Sequence, residues 1–347
     1  MIACELLLLS RNRTSGIERY ASEMLFGANE PYRMILGAPC HLRDLVYQHA
    51  TLNGWPVTDI SRGHRLVEEH LFRWLAERRL PQDTSGIVYF STSPGLLRSK
   101  LPFVLVIHDA IAWRYPQFTS RGMRYMYRPL IEHYIKSPLF RGIITVSEFS
   151  RRELVDVLNL RPNAIEVVPN VMSPRLFQVQ SPAGFSEIVP GRYFLHVGTV
   201  EPRKNIDVVI EAFLQAELAD AYLVLAGRIG WGQLPRLPER VLHLPNVADS
   251  ELGYLYRGAM AVISMSSYEG FGLPILESVA LGTRAIVSDI PVYRELFDQI
   301  ASVSFATSIH ELTLKMKIAY EQRVDNCPPV GFEHSMRFDN AVRRLFA

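Results

Sequence analysis

From residue 86 onward the chain alternates short, nearly unbroken apolar runs with amphipathic stretches of helical length, and that alternation limits it to one class of architecture. "GIVYFSTS", "FVLVIHDA", "GIITVSEF" and "IEVVPN" are the strand candidates of the first half. "YFLHVGTV", "AYLVLAGR", "AMAVISM" and "RAIVSD" follow in the second, separated by the helix-like "NIDVVIEAFLQAEL", "DSELGYLYRG" and "LPILESVALG". Continuous apolar strands joined through helices form parallel sheets covered on both faces. Between residues 31 and 85 the pattern is less regular and does not define strands. The opening "MIACELLLL" reads as a first strand: an acidic residue interrupts it, no basic segment precedes it, and it is too short to span a bilayer.

Residues 173–192 carry Pro174, Pro182, Pro190, Gly184 and Gly191 without a clean period, which marks a linker. The expected organisation is α/β: a doubly wound, Rossmann-like domain over residues 1–172, the linker, and a second such domain over 193–330, the two facing a cleft. Residues 331–347 read as a closing helix. A chain of 347 residues with 48% hydrophobic content suits about two such domains. The net charge of +2 conceals an asymmetry, because residues 1–175 hold 22 Lys and Arg against 16 Asp and Glu. The remainder is net acidic, which suggests separate partners for the two halves. Three widely spaced cysteines, Cys4, Cys40 and Cys327, fit neither a disulfide framework nor a zinc site and point to a reducing, cytoplasmic compartment.

In open α/β sheets ligands collect at the carboxyl ends of the strands. The polar features of this sequence sit at such positions: Ser15-Gly16 after the first strand, His108-Asp109 after "FVLVI", and "EPRKN" after "YFLHVGT". "SSYEGFGLPILES" follows "AVISM", placing Glu269 on a loop and Glu277 about one turn into a helix. Gly270 and Gly272 leave the backbone open to close approach, and Pro274 pre-sets the first helical turn. The free N–H groups of a helix start suit an anion. The common nucleotide motifs are absent: Ile275 stands where a dinucleotide fingerprint needs Gly or Ala, no Gly-Lys pair exists, and no Asp-x-Asp clamps a metal. A phosphate would therefore meet Arg203, Lys204 and helix N-termini rather than a metal ion.

"HVGTVEPRKNID", "SSYEGFGLPILES" and "VALGTRAIVSDIPVYREL" together resemble the retaining GT-B glycosyltransferases of the family 4 type, whose E-x7-E signature matches Glu269 to Glu277. "HDAIAWRYP", "IITVSEFSRREL" and "IEVVPNV" are similar to segments of the first domain in that family. The resemblance implies a GT-B fold in which the second domain binds a nucleotide-sugar, the first receives the acceptor, and the closing helix crosses back to the first domain. It implies that Glu277 accepts hydrogen bonds from ribose hydroxyls and that Glu269 holds donor-sugar hydroxyls. The backbone of Gly270, Phe271, Gly272 and Leu273 would lie near sugar and diphosphate, with Arg203 and Lys204 neutralising the leaving diphosphate. Ser15 and Gly16 would let the first loop approach the phosphates, His108 would align the donor sugar, and Val247 would line the base. Departures are Ser15-Gly16 for a common glycine pair, Thr199 for a frequent basic residue, "PNV" at 169–171, and Met265 for a frequent proline.

Plainer readings stand beside these. Glu277 near a helix start complements the helix dipole, His108 is a satisfied histidine at a strand end, Asp109 is a turn or cap residue, and Arg203-Lys204 is a solvated pair. Arg121, Arg124 and Arg128 fall on one face of "RGMRYMYRPLIEHYIK", with Met123, Tyr127, Ile131 and Tyr134 on another. That is either a solvated helix or a surface resting on anionic lipid at the inner face of a membrane. The expected activity is retaining, metal-independent transfer of a hexose, with mannose from GDP-mannose ahead of a UDP-sugar. The acceptor is a glycan or a polyprenyl-diphosphate-linked oligosaccharide; no cofactor and no nucleic-acid partner is expected. A phosphorylase, an epimerase, or a nucleotide-sugar-binding scaffold without turnover are the alternatives.

Overall fold

The computed structural model describes residues 1–6, 16–36, 41–59, 80–90, 100–182, 188–230, 236–322, 329 and 337–347. It divides into two compact units, Met1–Val171 with His334–Ala347, and Met172–Glu333. Ser15 lies outside the described residues.

In the first unit the elements run β1 (Ile2–Glu5), α1 (Gly16–Phe26), β2 (Arg33–Leu36), α2 (His41–Leu52), β3 (Val57–Asp59), β4 (Gly86–Tyr89), β5 (Phe103–Val106), α3 (Ile111–Arg114), α4 (Arg128–Tyr134), β6 (Phe140–Thr145), α5 (Glu148–Leu158) and β7 (Ile165–Val167). They form a seven-stranded sheet in the order β3-β2-β1-β4-β5-β6-β7, with every pairing parallel. β4 and β5 are buried at every position, as a sheet covered on both faces requires. On one face Ile87, Tyr89, Phe103 and Leu105 pack with Ile131, Leu154 and Leu158 of α4 and α5. β2 and β3, four and three residues long with half-buried ends, carry too little pattern to stand out in the sequence.

The second unit holds β8 (Tyr193–Val197), α6 (Ile206–Gln215), β9 (Tyr222–Ala226), β10 (Val241–Leu244), α7 (Asp249–Gly258), β11 (Ala261–Ser264), α8 (Leu273–Ala280), β12 (Ala285–Ser288), α9 (Pro291–Phe297), β13 (Val303–Ala306) and α10 (Ile309–Glu321). Its six strands are parallel in the order β10-β9-β8-β11-β12-β13. This is the dinucleotide-fold order, with its reversal between β8 and β11. Phe194, Leu223 and Ile263 of the sheet pack against Val209 and Phe213 of α6 and Leu312 and Met316 of α10. Ser308 caps α10 by accepting from the Glu311 N–H at 3.2 Å, and Glu311 returns a bond to Thr307 N–H at 2.7 Å, a reciprocal capping arrangement.

α11 (Arg337–Phe346) belongs to the first unit, where it contacts β6 and β7. Asp339 on it is buried and accepts from the Tyr32 hydroxyl at 2.7 Å and from the Asn29 N–H at 2.8 Å. Gly86 makes room for Phe346, whose ring would lie 2.2 Å from a Cβ there.

Along residues 121–134 the arginines are exposed or half-buried while the apolar residues of the expected face turn to the core. Met123–Tyr127 is π-helical, a wider turn than the ordinary helix expected from the sequence. Arg124 bonds the Pro116 carbonyl, and Arg128 pairs with Glu132 at 2.9 Å. Tyr127, Ile131 and Tyr134 are core residues; Tyr125 and Met126 are the exposed ones. No helix among the described residues is long and apolar enough to cross a membrane.

Asp339→Ala strands a buried hydroxyl and a backbone N–H, each costing about 1–3 kcal/mol when unpaired. Urea unfolding should show a loss of stability of that order; an unchanged midpoint would mean α11 is not held through this carboxylate.

Candidate functional site

β8 and β11 are neighbours, so the loops leaving their carboxyl ends meet at the point where the strand order reverses. After β8 the chain forms a 3-10 turn, Pro202–Lys204, and Asn205 then takes a left-handed conformation, φ 50°, before α6 begins. Asparagine tolerates that region better than other side-chain-bearing residues. Its amide donates to the Met265 carbonyl at 2.8 Å and to Ser267 Oγ at 2.9 Å, while Ser267 N–H donates to the Arg203 carbonyl at 2.8 Å. The two loops are thus one hydrogen-bonded unit.

On this support Arg203, Lys204 and Glu269 come together. Lys204 Nζ lies 2.5 Å and Arg203 Nη1 2.7 Å from Glu269 Oε1, and Ser266 Oγ donates to the same oxygen at 2.8 Å. The hydrogen bonds that described residues make to this carboxylate fall on Oε1. Arg203 also donates to the Tyr268 carbonyl at 2.9 Å, and its Nη2 pairs with Glu201 Oε1 at 2.6 Å. Burial alone would raise the Glu269 carboxyl, but the charges of Arg203 and Lys204 and their hydrogen bonds overcome it and hold the value down at about 2. Burial raises Glu201, with the same two cations opposing less effectively. A solvated basic pair is therefore excluded: Lys204 is 7% exposed, and both cations are committed to carboxylates.

Behind the cluster, on β8, His196 is buried and donates from Nδ1 to the Ile263 carbonyl at 3.0 Å. Burial, with Lys204 adding to it, lowers its value to about 4, so it is neutral at physiological pH. Ser264 Oγ lies 2.8 Å from the Tyr293 hydroxyl, and Ser288 Oγ donates to the Ser266 carbonyl at 2.6 Å. Together these fix the end of β11.

Gly270, Phe271, Gly272 and Leu273 continue from Glu269 into α8. Gly272 adopts φ 107°, and a Cβ there would sit 2.6 Å from the Tyr293 ring and 3.1 Å from that of Phe297. Packing and conformation, more than ligand approach, demand glycine at this position. Glu277, in the second turn of α8, is 2% exposed and accepts from the Tyr256 hydroxyl at 2.6 Å. A carboxylate serving only the helix dipole would face solvent in the first turn. Val247 lies half-buried on the connection between β10 and α7.

Gly16 and His108 belong to the first unit. Gly16 is the first residue of α1, and the His108 ring packs edge-on against Tyr20, one turn along that helix, with centroids 4.8 Å apart. Burial lowers His108 to about 4, and its Nε2 is buried without a hydrogen-bond partner among the described residues. The plain reading, a satisfied histidine, does not fit that nitrogen. Asp109 accepts from the Ile111 N–H at 2.9 Å, a turn role just before α3, whose N-cap is Ala110.

Sequence reading passed over Glu201, Ser266, Tyr256, Tyr293 and His196. Glu201 and Ser266 lie inside the segments that drew attention, but neither residue type signals burial by itself. No group of three His, Cys, Asp or Glu side chains among the described residues is arranged to hold a metal ion.

The ion pairs on Glu269 set a pH dependence. Its folded value lies below the ordinary 4.5, so its contribution to stability is complete above that value and fades as pH falls toward about 2. Between about pH 5 and pH 2.5 the wild type should lose more stability in urea than Glu269→Gln does. Parallel curves would show that the pairs contribute nothing.

Comparison with known proteins places this geometry. The Glycosyltransferase Family 4 model matches residues 32–175, and the Glycosyl transferases group 1 model matches residues 185–326. O-antigen chain mannosyltransferase B of Escherichia coli is 33% identical over 205 residues, covering 54% of this chain and 53% of that protein. O-antigen chain mannosyltransferase RfbU of Salmonella typhimurium is 29% identical over 202 residues, covering 54% and 56%. The chain thus spans about half the length of these curated relatives. Among solved structures, Anabaena HepE in complex with UDP and glucose superposes with a TM-score of 0.70 at 17% identity, covering 99% of this chain and 95% of that one. WaaG, a glycosyltransferase involved in lipopolysaccharide biosynthesis, does so at 0.63 and 16%, covering 99% and 94%. With the two family models together matching most of the chain, one over each doubly wound parallel sheet, the chain belongs to the GT-B glycosyltransferases of the family 4 type.

Proposed function

We propose that this chain is a retaining hexosyltransferase that needs no metal and moves mannose from GDP-mannose onto a glycan or polyprenyl-diphosphate-linked oligosaccharide. The observation that carries the reading is the Glu269 carboxylate at the strand-order reversal, its Oε1 fixed by Arg203, Lys204 and Ser266. Oε2 is left to accept a sugar hydroxyl. A carboxylate so fixed presents one acceptor in one orientation and needs no reorganisation when the donor arrives. Arg203 and Lys204 beside it meet the diphosphate, where charge grows as the glycosidic bond breaks. Glu277, oriented by Tyr256, accepts from the ribose, and the backbone from Gly270 to Leu273 lies along sugar and diphosphate. Val247 lines the base. The first unit receives the acceptor.

Mannose is favoured because relatives of this chain are O-antigen chain mannosyltransferases. The UDP-bound HepE structure keeps UDP in the comparison. The acceptor hydroxyl attacks on the face that the diphosphate leaves, with the departing phosphate as base, so the anomeric configuration is kept. A lipid-linked acceptor would bring the protein to the cytoplasmic face of a membrane.

Thermal melts with GDP, UDP and ADP, each with and without magnesium, test the donor class. A nucleotide that binds only the folded protein adds about 2.7 kcal/mol at a hundredfold excess over its dissociation constant. GDP should raise the melting temperature regardless of magnesium, and no shift with any of them would overturn the reading.

Lys204→Ala should lower GDP-mannose turnover by roughly two orders of magnitude or more. Glu269→Gln should do the same; alanine is the poorer choice there, since it would leave two buried cations facing Glu201 alone, at a cost of about 3–5 kcal/mol. Full turnover in both variants would remove the cluster from the mechanism. NMR of the product anomeric proton should show the donor's configuration.

A further inference from the structure

Among the described residues Arg203, Lys204, Glu201 and Glu269 form a linked set of two cations and two carboxylates. Side-chain exposures are 18% for Arg203, 8% for Lys204, 12% for Glu269 and 4% for Glu201. Thr199, at the start of the same loop, adds no charge. A diphosphate arriving here finds cations already neutralised and must displace a carboxylate to use them in full.

The two carboxylates differ in how firmly they are held. Glu269 receives Lys204, Arg203 and Ser266 on one oxygen. Glu201 is tied within the cluster through Arg203 Nη2 at 2.6 Å. Its burial disfavours the charged form while Glu269 is kept strongly anionic. The Arg203–Glu201 pair is the contact that yields, and Arg203 is the most exposed member of the set.

We infer that Glu201 is a positioning residue that acts through Arg203 as a built-in competitor of the donor's diphosphate, limiting how tightly the nucleoside diphosphate product is held and so speeding its release. The inference rests on the glycosyltransferase reading above. Arg203 leaves Glu201 for the phosphate when the donor enters and returns to it when the product departs. Weak product binding follows from the competition, at no loss to the transition state, in which the phosphate carries its greatest charge and competes best.

Glu201→Gln keeps an acceptor for Arg203 and raises the cluster charge by one. Calorimetric titration of GDP and UDP should show dissociation constants about tenfold lower than in the wild type for the nucleotide that binds. The donor KM and kcat should fall together as release becomes slower. A purely structural role for Glu201 would raise KM and weaken nucleotide binding, and that outcome would overturn the inference. Glu201→Asp keeps the charge and should stay near the wild-type constants; tight binding in it would equally overturn the charge argument. Should Glu201→Gln fail to fold, Thr199→Lys raises the charge by the same amount with Glu201 in place, and it must also tighten nucleotide binding. The parent reading fails separately: a wild type that binds neither GDP nor UDP defeats both, whereas a wild type that binds alongside unchanged or weaker variants defeats this inference alone.

Discussion

One carboxylate oxygen, Glu269 Oε1, receives an ammonium, a guanidinium and a hydroxyl within 2.8 Å. Three donors on one acceptor make sense only where burial would otherwise drive the carboxyl to its neutral form. To bring them there the protein needs two loops from neighbouring strands joined backbone to backbone, a left-handed Asn205 between turn and helix, and a rigid end to β11. Those requirements explain much of the surrounding detail, from the Ser264–Tyr293 contact to the seating of Gly272 against two aromatic rings. Removing the carboxylate leaves two cations that the interior cannot solvate.

The strand order places this cluster. With β8 and β11 adjacent and their following helices on opposite sides of the reversal, the loops part above the sheet instead of covering it. Both loops that carry the charged residues leave from these two strands. Glu277 is held inside α8, where the Tyr256 hydroxyl of α7 donates to one of its oxygens.

Much of the architecture was legible because buried parallel strands are written as plain apolar runs. "AVIS" and "YLVLA" are strands β11 and β9, and "DSELGYLYRG" is α7 residue for residue. β10 and β13 were missed: His243 interrupts one, and half-buried Ser304 and Phe305 blur the other. In the candidate site, residue types were legible but their company was not. Arg203, Lys204 and Glu269 read as separate contacts to phosphate and sugar, since about 65 positions of sequence conceal that they touch. Glu201 went unnoticed because a carboxylate next to cations looks like ordinary loop charge until its burial is known. The π-helical turn at Met123–Tyr127 was not legible, because the spacing of its apolar residues also fits an ordinary helix.

The first unit is assembled from two separated stretches of chain, because α11 returns to it after the whole of the second unit has passed. During synthesis the sheet of seven strands is made early but waits for Asp339 and Phe346 before Tyr32, Asn29 and the surface at Gly86 are covered. The second unit is one unbroken segment and can close as soon as it emerges. The later-made half is thus the first able to finish folding, and the earlier half depends on the arrival of ten residues from beyond it.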